Sequence, residues 1–88
     1  MIKSKNIKYN YDGDNLEIIF PSKMFKSLIP FIDYKLVQEF KLRRAGGSDN
    51  QIDYKWIERK DIQKIKNFID KNFGKYIKKS IKYNTLYL

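Results

Sequence analysis

Residues 6–20 alternate apolar and polar side chains around an Asp-Gly pair. This alternation is typical of strands with one buried face, and Asp-Gly is a favoured pair for a tight hairpin turn. With Asp12 and Gly13 as the turn residues, Tyr9 faces Leu16 across the hairpin. The pattern predicts a β-hairpin over residues 6–20, and then a short helix from Ser22 that ends before a proline.

Residues 34–57 admit two interpretations. As a hairpin, they alternate on both sides of a Gly-rich cluster, and Phe40 faces Tyr54. As a helix, the segment starts at Pro30 and ends at the glycines. We favour the hairpin, because the helix leaves the second strand-like run without a partner from its own side, but whether residues 30–44 are strand or helix stays open here.

Residues 59–73 carry the clearest helical pattern, with apolar residues at three- and four-residue steps, and Gly74 follows where a helix-ending glycine is expected. Over residues 75–88 the alternation returns, which predicts an edge strand or an arm. The chain is therefore expected to form an α+β domain over residues 1–74, with an antiparallel sheet of two hairpins covered by one amphipathic helix. The C-terminal segment is basic and rich in tyrosine.

The 88 residues include no cysteine and no histidine, which excludes disulfides, zinc sites built on these ligands, and imidazole or thiol catalysis. Asp33, Asp53 and Lys55 match the carboxylate and lysine spacing of metal-dependent nucleases. The hairpin register explains the same residues without chemistry, because it pairs Asp53 with Lys41 and Lys55 with Glu39. We therefore expect no catalytic residue, no metal, no cofactor and no enzymatic activity.

Apolar runs in the chain are too short for a signal peptide or a membrane span. We accordingly expect no membrane partner and a cytoplasmic location, in the host cytoplasm if the gene is viral. The three aromatic residues of the second hairpin, Phe40, Tyr54 and Trp56, are expected to lie in the core beneath the helix, where they are not available for base stacking.

The charge balance indicates an anionic partner. Nineteen Lys and Arg oppose ten Asp and Glu, for a net charge of +9, and the last eighteen residues contain five lysines and no acid. Further basic residues precede the glycine pair, at the predicted tip of the second hairpin, where a β-ribbon can enter a nucleic-acid groove. The candidate contact residues are Lys41, Arg43, Arg44, Lys75, Lys78, Lys79, Lys82 and Tyr83.

We expect from these residues a small non-enzymatic nucleic-acid-binding protein that contacts phosphates and reads little sequence. DNA and RNA, single and double strands, all remain open. The alternative is a protein-binding module, for example a phage or mobile-element factor that docks on an acidic host protein. A homodimer through a sheet edge is compatible with either function.

Overall fold

The computed structural model describes residues 7–87, with side chains described as far as Asn84. Two strands, a helix, two strands and a long helix follow one another along the chain. The elements are β1 (Lys8–Asp12), β2 (Asn15–Ile19), α1 (Leu28–Phe40), β3 (Arg43–Ser48), β4 (Gln51–Lys55) and α2 (Arg59–Tyr87). This confirms the predicted α+β fold with two antiparallel hairpins in one small domain. Asn6, where the first strand was expected to begin, and Leu88 lie outside the described residues.

The two hairpins join into one antiparallel sheet of four strands in the order β1-β2-β4-β3. In the centre of the sheet, Leu16 pairs with Tyr54 and Ile18 pairs with Ile52. These four side chains are buried on the face that both helices cover, because strand residues two positions apart point to the same side. The helices complete the core with Ile29, Ile32, Leu36, Ile65, Ile69, Phe73 and Ile77.

The first hairpin forms where it was predicted, but its register differs by two residues. The turn residues are Gly13 and Asp14, not Asp12 and Gly13, so Tyr9 faces Ile18. Gly13 has φ +66°, a left-handed conformation that glycine adopts without a steric penalty. A turn with glycine in the first central position needs no positive φ in the second. The shift of two residues keeps every side chain on its predicted face.

The segment that could be strand or helix, residues 30–44, forms most of a helix and then the start of the second hairpin. A helix does follow the first hairpin, as predicted, but it begins at Leu28 and passes through Pro30 instead of starting at Ser22 and ending before the proline. Proline is tolerated because it lies in the first turn, where the backbone N–H has no helical partner. The strand predicted up to residue 43 is therefore wrong as far as Phe40, and Lys41 ends the helix with φ 56°.

The second hairpin also has a different turn from the predicted one. Gly46 and Gly47 lie inside β3, and the turn consists of residues 49–50. A bulge between Arg44 and Gly46 shifts the pairing with β4 by one residue. Gly47, with φ +155°, lies so close to β4 that a Cβ would come within 2.5 Å of the Gln51 carbonyl oxygen. Only glycine fits at this position without moving the backbone.

α2 is the long element of the fold, with 29 residues and no interruption at Gly74. The edge strand or arm predicted over residues 75–88 is therefore wrong as far as the structure describes it. Ile77 and Ser80 are buried, so the helix packs against the rest of the protein in its second half too. Between residues 7 and 87, neither helix has the length and hydropathy needed to cross a membrane.

Candidate nucleic-acid interface

A row of lysines runs along the exposed face of α2. The helix turns by about 100° per residue, so lysines at steps of three, four and seven residues lie on one side. Six lysines fall within a sector of about 60°, and all six are exposed. We call them the lysine row: Lys60, Lys64, Lys71, Lys75, Lys78 and Lys82. At 1.5 Å per residue the row is about 33 Å long.

Acidic side chains of α2 lie away from this row. The helix carries nine Lys and Arg and two Asp, a net charge of +7 out of the +9 of the chain. Asp61 and Asp70 project from other sides of the helix. At the margins of the row, exposed Glu58 forms an ion pair with Lys60 at 3.3 Å, and Glu39 of α1 lines the shallow groove next to Lys64. The row is thus a positive strip with acids only at its borders.

The sheet face that the helices leave open has a different character. Glu17 of β2 and Asp53 of β4 are direct cross-strand partners at its centre. Two carboxylates facing each other repel a third negative group. The centre of the open face is therefore unfavourable for a polyanion. Lys55 and its cross-strand partner Arg43 place two positive charges at one end of this face, and α2 carries the long positive strip.

The basic residues of the second hairpin lie at its base and not at its tip. Arg43 and Arg44 begin β3, about 17 Å along the strand from the turn. The turn itself carries Asp49, which forms an ion pair with Lys26 at 3.6 Å. The predicted basic hairpin tip is therefore wrong, because the glycines that were expected to form the turn belong to the strand.

Arg44 is already engaged in a contact within the fold. One of its terminal nitrogens donates to a carboxylate oxygen of Asp33 at 2.8 Å, and the buried Tyr54 hydroxyl donates to the other oxygen at 2.6 Å. Burial, and then the hydrogen bond to Asp33, raise the pKa of Tyr54 well above its usual value. This network links β3, β4 and α1, so we assign Arg44 a structural role.

Arg43 lies next to an exposed tryptophan. Trp56 is 63% exposed, although its place in the alternation of β4 predicted burial. Its backbone has φ 62°, a left-handed conformation that turns the side chain out of the core. The guanidinium carbon of Arg43 lies 5.0 Å from the centre of the indole ring, and the ammonium nitrogen of Lys55 lies 4.9 Å from it.

The remaining candidate residues are scattered. Lys41 is exposed at the end of α1, and Lys79 is exposed on α2 at the side of the lysine row. Tyr83 is about half exposed and packs edge to face on Phe25, with ring centroids 5.5 Å apart. Of the eight predicted contact residues, the lysine row contains Lys75, Lys78 and Lys82.

Sequence reasoning missed the other three members of the row, Lys60, Lys64 and Lys71. Their spacing is visible in the sequence, because steps of four and seven residues continue from the predicted helix into the C-terminal segment. The signal is lost once Gly74 is assumed to end the helix. Trp56 was missed for a different reason, because no local pattern indicates a left-handed residue at the end of a strand.

The residues that match the nuclease spacing do not come together. Asp33 bonds to Tyr54 on the helix-covered side of the sheet, whereas Asp53 faces Glu17 on the open side. The sheet separates the two carboxylates, so they cannot hold one metal ion. Among the described residues, no three carboxylates gather into a group that could bind a metal. Comparison of the chain with protein-family models, curated proteins and solved structures finds no match.

Proposed function

We propose that this protein binds nucleic acid through the lysine row of α2 and is not an enzyme. The observation that supports this is the row itself, six exposed lysines on one face of one helix with no acid among them. A rigid helix holds the six charges in a line, so they face a phosphate backbone together. Contacts of this kind neutralise phosphates and read little sequence.

The salt dependence of binding tests this proposal. Each phosphate neutralised contributes a slope of about −0.9 on duplex DNA and about −0.7 on single strands in a plot of log K against log salt. Six lysines predict a slope of about −5 on duplex and about −4 on single strands. Fluorescence anisotropy of a labelled oligonucleotide, at several salt concentrations, measures it.

Two triple variants distinguish the effect of the lysine row on binding from the effect of net charge alone. Lys71, Lys75 and Lys78 lie in the row, whereas Lys8, Lys23 and Lys35 are exposed on other elements. Changing either set to Gln lowers the net charge to the same value. We expect the row variant to lose about 2–3 units of slope and the control variant to stay near the wild type. Equal losses in both variants, or no binding of DNA or RNA at low salt, would contradict the proposal.

An acidic protein partner is the second candidate, and one observation favours it. A groove of about 540 Å³ lies between α1 and α2, and the exposed aromatic rings of Phe31 and Tyr76 line it. A protein partner would bury these rings in the groove, whereas contacts to phosphates alone would leave them exposed. We expect Phe31→Ser to leave nucleic-acid affinity unchanged, and a loss of that affinity would indicate that the groove belongs to the nucleic-acid interface.

The homodimer and the cytoplasmic location stay predictions. β3 is an edge strand and all six of its residues are exposed, which makes it the edge where a second copy of the chain would pair. Sedimentation at increasing concentration tests the dimer. A monomer at all concentrations excludes it and leaves nucleic-acid binding unaffected.

A further inference from the structure

A second feature of the surface, close to the lysine row in the sequence, has the chemistry of a base-stacking site. It consists of Trp56 with Arg43 and Lys55, and we call it the Trp56 cluster. Trp56 directly follows β4 and precedes Lys60, the first lysine of the row, by four residues. The cluster and the row therefore adjoin along the chain.

The two cations of the cluster are held together against their mutual repulsion. Arg43 and Lys55 are direct cross-strand partners, and like charges in this position destabilise a sheet. Among the described residues, neither forms an ion pair with a carboxylate. Both reach the indole instead, at 5.0 and 4.9 Å from its ring centre. A phosphate between them would relieve the repulsion.

The backbone at Trp56 is strained in a way that exposes the ring. A bulky aromatic residue with positive φ is uncommon, and such strain persists where the surrounding structure imposes it. Here Ile57, which follows, is buried in place of Trp56; its N–H donates to the Asp14 carbonyl oxygen at 2.7 Å, and its carbonyl accepts from the Tyr11 hydroxyl at 2.6 Å. The fold therefore keeps an exposed tryptophan where alternation would have buried it.

We propose that the Trp56 cluster stacks one unpaired base on the indole while Arg43 and Lys55 contact the adjoining phosphates, which makes single-stranded nucleic acid the ligand class of this protein. The proposal rests on the proposed function. Stacking of a base on an aromatic ring is stronger than an exposed cation–π contact, so a base can displace a cation from the ring. The displaced cation is then free to bind a phosphate. A duplex keeps the faces of its bases inside the stack and cannot use this site.

The single tryptophan of the chain makes the test direct, because its fluorescence reports on this site alone. Three strands of about 12 nucleotides are compared: oligothymidylate, oligouridylate and an abasic strand of equal charge. Anisotropy of the labelled strand measures binding, and tryptophan emission measures stacking. We expect base-bearing strands to bind about 5- to 150-fold more tightly than the abasic strand and to quench Trp56, and the abasic strand to bind without quenching. The DNA and RNA arms show which sugar is preferred.

Variants separate stacking from structure. Trp56→Gly removes the ring and suits the positive φ, so we expect the fold to survive and the preference for base-bearing strands to disappear. Trp56→Phe keeps a ring and should keep part of the preference. Tyr76→Ala is the matched control, because Tyr76 is equally exposed, at 60%, but lies about 25 Å further along α2. We expect this variant to behave as the wild type.

The outcomes distinguish the two proposals. If strands bind with the expected salt slope but tryptophan emission is unchanged and Trp56→Gly discriminates as before, the stacking site is wrong and the lysine row stands. Tighter binding of duplex than of single strands also overturns the stacking site. If no strand binds, the proposed function fails, and the stacking site fails with it.

Discussion

Two tyrosines of the sheet should respond in opposite directions to the same substitution. Tyr54 and Tyr9 both point to the helix-covered side, but the Tyr54 hydroxyl donates to Asp33 at 2.6 Å. The Tyr9 hydroxyl is buried and has no hydrogen-bond partner among the described residues. Replacing each tyrosine by phenylalanine removes only this oxygen. We expect Tyr54→Phe to destabilise the protein and Tyr9→Phe to stabilise it.

The magnitudes follow from what each hydroxyl does. A hydrogen bond to a charged group contributes about 1.5–3 kcal/mol, and Tyr54→Phe loses it and leaves one oxygen of Asp33 without its donor. Burial of an unpaired hydroxyl costs about 1–3 kcal/mol, and Tyr9→Phe should recover about 1 kcal/mol of this. The two variants then differ by about 3 kcal/mol. In a domain of this size that corresponds to on the order of 10–20 °C in Tm.

Urea unfolding followed by circular dichroism measures both free energies, with the m-value as a check that unfolding stays two-state. Tyr34→Phe is the control. Tyr34 is 59% exposed on α1, so this substitution should change the free energy of unfolding of the protein little. The reasoning is refuted if Tyr54→Phe is as stable as the wild type. It is equally refuted if Tyr9→Phe loses as much stability as Tyr54→Phe.

Three further predictions concern pH, the backbone and charge. Burial raises the pKa of Tyr9 and of Tyr54 in the folded state, so the unfolded chain releases these protons at lower pH. The free energy of unfolding should therefore be unaffected below about pH 10 and fall above it by about 1.4 kcal/mol per pH unit for each tyrosine. Tyr54→Phe should halve this dependence of the free energy of unfolding on pH. Gly47→Ala should cost more free energy of unfolding than Gly13→Ala, because a Cβ at Gly47 meets the β4 backbone and one at Gly13 meets nothing within 4 Å; equal costs would contradict the close approach of β3 to β4. Arg44→Gln should leave the salt slope of nucleic-acid binding unchanged, since Asp33 already pairs with this charge, and a fall of about one unit would return Arg44 to the interface.

The fold could be predicted where local patterns and long-range packing agree. The first hairpin has alternation on both strands and a turn glycine, so its existence followed from the sequence, and only its register required the structure. The second hairpin is different, because its turn is positioned from outside. Asn50 and Phe20 exchange backbone and side-chain hydrogen bonds, Phe20 N–H to the Asn50 carbonyl at 2.7 Å and the Asn50 amide to the Phe20 carbonyl at 3.2 Å. Such contacts between distant residues have no signature in the local sequence.

The exposed position of Trp56 shows the same limit. A left-handed backbone at a non-glycine residue costs about 1–2 kcal/mol, so alternation was the better local expectation. The structure offsets this cost by burying Ile57, a side chain whose burial contributes about 1.5–3 kcal/mol, and by two hydrogen bonds to the first hairpin. Those partners, Asp14 and Tyr11, are more than forty residues away in the chain.

The lysine row, in contrast, could have been predicted by weighing magnitudes. Gly74 was expected to end the helix, but a glycine inside a helix costs only about 1 kcal/mol relative to alanine. Ending the helix there would expose Ile77, whose full burial contributes about 1.5–3 kcal/mol, and it would also release the half-buried Ile81. These two side chains outweigh the glycine, so the helix continues. In the continued helix, the spacing of Lys71, Lys75 and Lys78 places their charges on one face. The burial of Ile77 and Ile81 that keeps the helix intact past Gly74 therefore also forms the positive face on which the proposed function depends.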